Sequence, residues 1–399
     1  FCYFCYSCYF CYFCYFCYSC YFDDAEVPMR GLVIPFKPTA GAEPPVLVGR
    51  DKVLEDFADG LAEGPGARGR LMRITGPRGS GKTVLLTELG DMARDEGWEI
   101  IDETARAGLC ERIARAALEK PSAELSLDVH LGLADFHMEK GGAEGATLRE
   151  ALSQKAGELT RQRRGLLITL DEVQDADIGE MKELAAVVQH LIREKANIAF
   201  VFAGLTMGVL DLINGKALTF LRRALPEELA EIPLDEIAAA YRETIERSGL
   251  LIDDEALSVA AEATVGYAYL IQLVGYQVWR AGKAHADQSL VITEEDALLG
   301  IREAMGEFGD AVHEAAVADL PLRALEYLLA MTQDEGVSAT AVIAERLQVS
   351  PTSLTSYRRL LIQRQVIEQT ARGYVKFSIP YMGEYLVANR ETLLARYGR

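Results

Sequence analysis

The stretch GPRGSGKT, from Gly76 to Thr83, constrains the possible fold of this chain more than any other part of the sequence. Its spacing fits the pattern G-x-x-x-x-G-K-[ST], in which a glycine-rich loop exposes successive backbone N–H groups to phosphate oxygens. RLMRIT before the loop predicts a short strand, and KTVLLTELGDMAR after it predicts a helix whose N-terminus favours anions. The order strand, loop, helix predicts an α/β fold with a phosphate-binding site.

The residue types of this loop assign roles to its members. We expect Lys82 to reach the β- and γ-phosphates, as both a binding and a catalytic group, and the Thr83 hydroxyl to ligate Mg²⁺. ATP with Mg²⁺ is therefore the expected ligand. The loop residues predicted to contact it are Gly76, Pro77, Arg78, Gly79, Ser80, Gly81, Lys82, Thr83 and Val84.

A second phosphate-site element follows in RGLLITLDEVQ. The apolar run from Leu166 to Leu170 is typical of a strand buried on both faces of a parallel sheet. Asp171 at its carboxyl end is predicted to support the metal, and Glu172 to polarise the attacking water. The alternative is an ordinary strand that ends in two solvated acids.

The first 22 residues, FCYFCYSCYFCYFCYFCYSCYF, repeat every three residues, a period that matches neither helix nor strand. A membrane helix would place seven tyrosines in the bilayer without flanking basic residues, and a metal-binding cysteine tract would lack a ligand framework. We interpret the segment as a mis-called or translated simple repeat and take Met29 as the expected start. The single other cysteine, Cys110, favours a reducing cytoplasm and no disulfide framework.

The remaining chain divides into four predicted parts. Residues 23–46 read as a linker, and 47–234 as a core in which helices alternate with five strands, the last of them LAEIPL at 229–234. Residues 235–317 are helical throughout and predict a lid, and 318–399 predict a C-terminal module. The net charge of −19 argues against general coating of nucleic acid but leaves a local basic patch possible.

Taken together, these motifs resemble the AAA+ ATPases. The resemblance rests on Gly49-Arg50, the phosphate loop, Asp171-Glu172-x-Gln174, a strand ending in Ala203-Gly204-Leu205, and the helical lid. Within that group, the sequence is similar to archaeal-type ATPases related to origin-recognition-like initiators and STAND proteins, including actinobacterial ATP-binding proteins with a terminal winged helix.

The resemblance covers roughly residues 40–390 and implies that ATP or ADP binds between core and lid. It also implies that Arg50 lies near the adenine, and that Arg222 or Arg223 is an arginine finger for a neighbouring subunit of a homo-oligomer. The alternative for the two arginines is a solvated helix end.

Two departures from the family pattern predict slow, switch-like hydrolysis. The strand NIAFVFAGLT lacks a polar sensor residue near its end, where Thr206 is only a late candidate. Tyr269 and Leu270 stand around the place where the initiators carry a sensor arginine. The loss of that arginine weakens the coupling between γ-phosphate and lid.

The C-terminal module resembles a winged helix-turn-helix. A helix is expected at Ala339–Leu347, a second helix capped by Ser350, and a two-stranded wing with Gly373 at its tip. From Pro351 to Phe377 there are five basic residues and one acidic residue, a net charge of +4 that favours phosphate contacts. The residues predicted to contact double-stranded DNA are Thr352, Ser353, Ser356, Arg358, Arg359, Arg372 and Lys376. The alternative is a winged helix that contacts protein.

Overall fold

The computed structural model describes residues 32–39, 47–119, 147–214, 218 and 220–397. The prediction for residues 1–22 lies outside this range, as does most of the predicted linker. In the segment 32–39, Phe36 is buried and its ring meets that of Tyr241 edge-on at 5.6 Å. Within the described ranges, no helix is long and apolar enough to cross a membrane.

A five-stranded parallel sheet forms the centre of the core, as predicted. Its strands run in the order β2-β3-β4-β1-β5. They are β1 (Leu71–Thr75), β2 (Glu99–Thr104), β3 (Leu166–Asp171), β4 (Ile198–Gly204) and β5 (Leu225–Glu228).

The predicted position of the fifth strand was wrong, because the strand precedes LAEIPL and ends at Glu228. Leu229 closes the pairing by donating its N–H to the Thr75 carbonyl at 2.7 Å, and the chain then turns toward the next helix. The segment LPEE contains a proline and two glutamates, which are residues typical of a loop. The proline is tolerated in β5 because β5 is an edge strand.

Helices cover both faces of the sheet, because successive side chains of its strands point to opposite sides. Leu167 and Val201 pack with the helices of one side, whereas Ile168 and Phe202 pack with those of the other. The helices of the core are α1 (Asp51–Glu63), α2 (Lys82–Asp95), α3 (Leu109–Leu118), α4 (Leu148–Arg161), α5 (Ile178–Arg193) and α6 (Thr206–Asn214).

The lid follows as a group of helices, with one small addition. Its helices are α7 (Leu234–Arg247), α8 (Asp254–Glu262), α9 (Ala268–Lys283), α10 (Glu294–Phe308) and α11 (Glu314–Val317). A π-helical turn, Gly309–His313, joins α10 to α11. Two-residue strands, β6 (Leu251–Ile252) and β7 (Val291–Ile292), form a parallel pair that the helical pattern of the sequence did not reveal.

The C-terminal module combines five helices with a three-stranded antiparallel sheet, ordered β8-β10-β9. Its elements are α12 (Leu322–Met331), β8 (Val337–Ala339), α13 (Thr340–Arg346), α14 (Thr355–Gln363), β9 (Ile367–Ala371), β10 (Tyr374–Phe377), α15 (Met382–Ala388) and α16 (Arg390–Ala395). The hairpin β9–β10 lies where the wing was predicted, and Gly373 has the positive φ of +86° that its tip requires. Strand β8 was missed because it has only three residues.

The predicted second helix begins differently from expectation. Ser350 does cap it, but a 3₁₀ turn, Pro351–Leu354, precedes α14. Thr352 and Ser353 therefore lie on that turn rather than on the α-helix. Leu354 and Leu361 are buried, and Tyr357 between them is half-buried.

The lid and the C-terminal module share one hydrophobic core. Trp279 and Phe308 of the lid belong to the same buried cluster as Tyr327 and Leu361 of the module. The core of the α/β sheet is made of two separate clusters. A close-packed core that spans two parts resists sliding between them, so we expect lid and module to move as one body against the sheet.

Candidate nucleotide-binding site

The phosphate loop lies between the end of β1 and the start of α2. Gly79 and Gly81 have positive φ angles of +70° and +89°, a left-handed conformation that glycine adopts without strain. Gly81 is also the residue that caps α2. The free N–H groups at the N-terminus of α2 therefore lie near the carboxyl end of β1, which is where phosphates bind in such folds.

Two polar side chains of the loop, those of Lys82 and Ser80, are buried. The Lys82 ammonium donates to the carbonyls of Gly76 at 3.1 Å and Pro77 at 2.7 Å. Burial lowers the pKa of Lys82, while Glu172 and Asp171 act to raise it. The Ser80 hydroxyl is 5% exposed by residue and has no hydrogen-bond partner among the described residues. Such an orphaned buried hydroxyl fits a loop whose missing partner is a phosphate.

Thr83 and Asp171 form the candidate metal position. The Thr83 hydroxyl donates to Asp171 Oδ2 at 2.6 Å, which brings the start of α2 to the end of β3. Described residues contain no cluster of three or more His, Cys, Asp or Glu that would hold a metal by itself. Mg²⁺ typically takes one or two protein oxygens and completes its shell with water and phosphate, so this pair fits Mg²⁺ with a nucleotide.

Glu172 lies beside the metal position in an unusual backbone conformation, with a φ of +54°. Its N–H donates to Asp171 Oδ1 at 2.8 Å, and its carboxylate accepts a hydrogen bond from the Gln174 side chain. The Gln174 oxygen in turn accepts from the Leu205 N–H at 3.0 Å. Thr206, the late sensor candidate, begins α6 directly after this contact.

Arg50 contacts the loop from the other side. Its guanidinium donates to the carbonyl of Ser80 at 3.2 Å and to that of Ala230 at 3.5 Å, so it bridges the phosphate loop and the segment leading to the lid. Burial lowers the pKa of Arg50, and Glu236 opposes that shift. Its predicted position near the adenine stays a prediction.

Tyr267 is a lid side chain that lies against the loop, and it was not predicted from the sequence. A Cβ built on Gly79 would lie 2.2 Å from the Tyr267 hydroxyl, so only glycine fits beneath this ring. Burial raises the pKa of Tyr267 to about 12. Tyr269, at the expected sensor position, instead faces Phe308 at 6.0 Å between ring centroids, and Leu270 is fully buried.

The C-terminal module also reaches the loop. Gln365, which follows α14 with a φ of +55°, accepts a hydrogen bond from the Arg78 N–H at 3.1 Å. These residues are 287 positions apart in the chain. No local pattern in the sequence indicated this contact.

The two candidate arginine fingers differ in their surroundings. Arg222 donates to the carbonyls of Ile213 and Asn214 at 2.9 Å each, so its guanidinium closes the C-terminal end of α6. The Arg223 side chain is exposed and makes no hydrogen bond or ion pair within the described part of the chain, although its backbone N–H donates to the Phe220 carbonyl at 3.0 Å. Arg223 is therefore the arginine that is free to reach another molecule.

The candidate DNA contacts lie on and beside the 3₁₀ turn, α14 and the wing. Five of them, Thr352, Ser353, Ser356, Arg359 and Arg372, are exposed, and Arg358 is half-buried. Lys376 pairs with Glu368 at 2.9 Å, and that bond raises its pKa. The Ser353 hydroxyl donates to the Ser350 carbonyl at 2.7 Å, so its hydrogen is used within the turn.

Two family models match parts of this chain. Residues 46–201 match a family model described as "AAA ATPase domain", and residues 310–386 match one described as "Domain of unknown function (DUF8462)". A search of curated proteins found no match. The chain therefore contains an AAA ATPase domain, as its motifs predicted.

Among solved structures, the Aeropyrum pernix ORC2 protein (ADPNP–ADP complexes) is 15% identical with a TM-score of 0.58, over 91% of this chain and 98% of that one. The Aeropyrum pernix ORC1 protein in complex with DNA is 18% identical with a TM-score of 0.47, over 89% and 95%. The Thermotoga maritima RuvB Holliday junction branch migration motor is 15% identical with a TM-score of 0.44, over 84% and 94%. The first of these shows a fold shared with an origin-recognition protein.

Proposed function

From the AAA ATPase domain at residues 46–201 and its complete phosphate loop, we propose that this protein is an ATP-operated switch. It binds ATP with Mg²⁺ and hydrolyses it slowly. The state of the nucleotide controls the C-terminal module, which binds double-stranded DNA.

The residues of the loop supply the nucleotide-binding step. Lys82 leaves the carbonyls of Gly76 and Pro77 and turns its charge to the phosphates, where the backbone N–H groups of the loop also point. Thr83 and Asp171 would hold Mg²⁺, which would neutralise charge on the transferred phosphoryl group. Glu172 orients the attacking water, and its carboxylate accepts a proton from it.

The hydrogen bond from the Arg78 N–H to Gln365 carries the switch proposal. A phosphate and Gln365 are both acceptors for N–H groups of this loop, so a ligand in the loop competes with docking of the module. Tyr267 against Gly79 is a second contact of the same body, since lid and module share one core. The slow turnover follows from the absence of an arginine in GYAYLIQL and of a polar residue at the end of β4.

DNA is the partner that the exposed surface of the module favours. A helix preceded by polar residues, with Arg359 exposed and Arg372 on the wing, offers phosphate and base contacts together. One observation supports a protein partner instead, because Lys376 is paired with Glu368 and Glu231 also acts on it. Glu368 belongs to the wing itself, whereas Glu231 lies outside the module and attracts the wing through Lys376.

Replacement of Arg358 and Arg359 by alanine tests the DNA proposal. We expect weaker duplex binding and a slope of log affinity against log salt that is smaller by about 2, because each lost phosphate contact removes about one released ion. Arg106→Ala with Lys182→Ala, two exposed cations on the core, is the matched control. Unchanged DNA affinity and slope in the double variant would leave protein contact as the function of the module.

The oligomeric state belongs to the same proposal. A free Arg223 side chain next to β5 is what a homo-oligomer with a shared active site needs.

The predicted cytoplasmic location rests on cysteine usage alone and stays a prediction. The predicted boundaries of core, lid and module also stay predictions.

A further inference from the structure

The Gln174 side chain connects the carboxyl ends of two neighbouring strands, β3 and β4, beside the predicted nucleotide position. Its oxygen accepts from the Leu205 N–H at 3.0 Å, and its nitrogen donates to a carboxylate oxygen of Glu172. The first contact lies at the end of β4 and the second just after β3. One carboxamide therefore ties the predicted water-orienting residue to the strand that carries no polar sensor of its own.

The orientation of this carboxamide is fixed by its partners. The Leu205 N–H is only a donor, so the amide oxygen must face it, and the NH₂ group is left for Glu172. An ionised carboxylate is only an acceptor, so it requires the same arrangement. Rotation of the amide by half a turn would break both hydrogen bonds.

Two glycines make room for this side chain. A Cβ on Gly204 would lie 2.6 Å from the Gln174 amide oxygen, and one on Gly208 would lie 2.4 Å from the Gln174 Cβ. Neither glycine has a positive φ, so the backbone conformation does not require glycine there. The space that they leave is filled by Gln174.

We propose that Gln174 is a positioning residue for ATP hydrolysis, which holds the Glu172 carboxylate toward the nucleotide and couples it to the end of β4. This inference rests on the proposed function, since it requires that Glu172 acts in turnover. One Glu172 oxygen is held by Gln174, and the other is left to accept the hydrogen bond of the attacking water. Movement at the end of β4 is transmitted to the carboxylate through the two hydrogen bonds.

Gln174→Glu is the sharpest test, because it keeps the size of the side chain and an acceptor for Leu205 but, when ionised, has no hydrogen to donate to Glu172. We expect kcat to fall about 10–100-fold, the scale of a misplaced catalytic group, with little change in ATP affinity. Gln174→Ala should lower kcat by a similar factor, again with little change in ATP affinity, because it removes the same donor to Glu172.

A cycle with Glu172→Gln separates positioning from a general loss of structure. If Gln174 acts through Glu172, the double variant Glu172→Gln with Gln174→Ala turns over no more slowly than Glu172→Gln alone. Gln363→Ala, an exposed glutamine of α14, is the control and should leave kcat unchanged.

The outcomes are distinguishable. Turnover that is lost in Glu172→Gln but stays within about twofold of wild type in both Gln174 variants overturns the positioning role alone. Independent, multiplicative losses in the double variant overturn it as well. No turnover in the wild type, or unchanged turnover in Glu172→Gln, overturns the hydrolytic part of the proposed function and this inference with it.

Discussion

The side chain of Gln365 accepts a hydrogen bond from the Arg78 backbone N–H at 3.1 Å, which joins the C-terminal module to the phosphate loop. The contact is exposed, so a ligand can reach and replace it. Because the module shares its hydrophobic core with the lid, a change at this point acts on one body that contains both. The predictions below follow from this relationship and from the geometry of the loop.

Gln365→Ala should raise the affinity for ATP. The variant removes an acceptor that occupies a loop N–H, and a hydrogen bond of this kind contributes about 0.5–1.5 kcal/mol, or about 2–10-fold in affinity. Isothermal titration with ATP and ADP measures the change. Gln363→Ala serves as the control, and an ATP affinity that is unchanged or lower in Gln365→Ala would contradict competition at the loop.

Lys82→Ala should weaken ATP binding by about 10–100-fold, because a hydrogen bond to a charged group contributes about 1.5–3 kcal/mol. Fluorescence of a labelled nucleotide provides the measurement, and Lys182→Ala, which replaces an exposed lysine of α5, is the matched control.

Thr83→Ala should weaken ATP binding only when Mg²⁺ is present. Equal losses with and without Mg²⁺ would argue against the metal position beside Asp171.

Arg223→Ala and Arg222→Ala should have different effects. The Arg223 side chain has no partner among the described residues, so its loss should lower turnover while the melting temperature stays the same. Arg222 closes the end of α6 through two carbonyls, so its loss should lower the melting temperature.

Mixing Arg223→Ala with Lys82→Ala tests action between subunits, since each variant supplies what the other lacks. Recovery of turnover is expected, and its failure would exclude Arg223 as a finger in trans.

His313 should make the joint between lid and module sensitive to acid. Burial lowers its pKa, with the Pro380 carbonyl at 2.7 Å and Glu384 acting against the shift. The unfolded chain therefore binds more protons at this group, and stability is lost as pH falls through the ordinary histidine pKa of about 6.5. We expect the melting temperature of His313→Gln to fall less between about pH 7.5 and about pH 5.5 than that of wild type.

His285 provides a control with the opposite sign. Its hydrogen bond to Asp296 raises its pKa, so its contribution is present at low pH and is lost as pH rises through the raised value. The melting temperature of His285→Gln should therefore fall more steeply on acidification than that of wild type. If both variants follow the wild-type curve, neither histidine governs the response to acid.

Much of the sheet was predictable, because β1, β2, β3 and β4 each had a local signal in the sequence. Leu166–Asp171 is a continuous apolar run, and β1 is followed by the glycine loop that requires a strand before it. The position predicted for the edge strand β5 was wrong because this strand contains a proline and two glutamates. The adjacent segment LAEIPL contributes the buried Leu229 and Ile232 but does not pair as a strand. Burial in this segment does not distinguish a strand from the loop that follows it.

The loop side of the site was predictable in the same way, but the contacts across domains were not. Gln174 stood inside a motif that was recognised, yet only the fold shows that it reaches Leu205. Tyr267 and Gln365 come to the loop from the lid and the module, over long sequence separations that no periodicity records. Polar residues at such positions look like ordinary surface residues in the sequence.

The most direct test is a titration of a labelled mixed-sequence duplex with the purified protein in ATP, in ADP and without nucleotide, each at two salt concentrations. The account predicts salt-sensitive binding whose affinity differs between ATP and ADP, and a smaller difference in Gln365→Ala. Equal affinity in all three nucleotide states, or no binding in any of them, would contradict the claim that nucleotide controls a DNA-binding module.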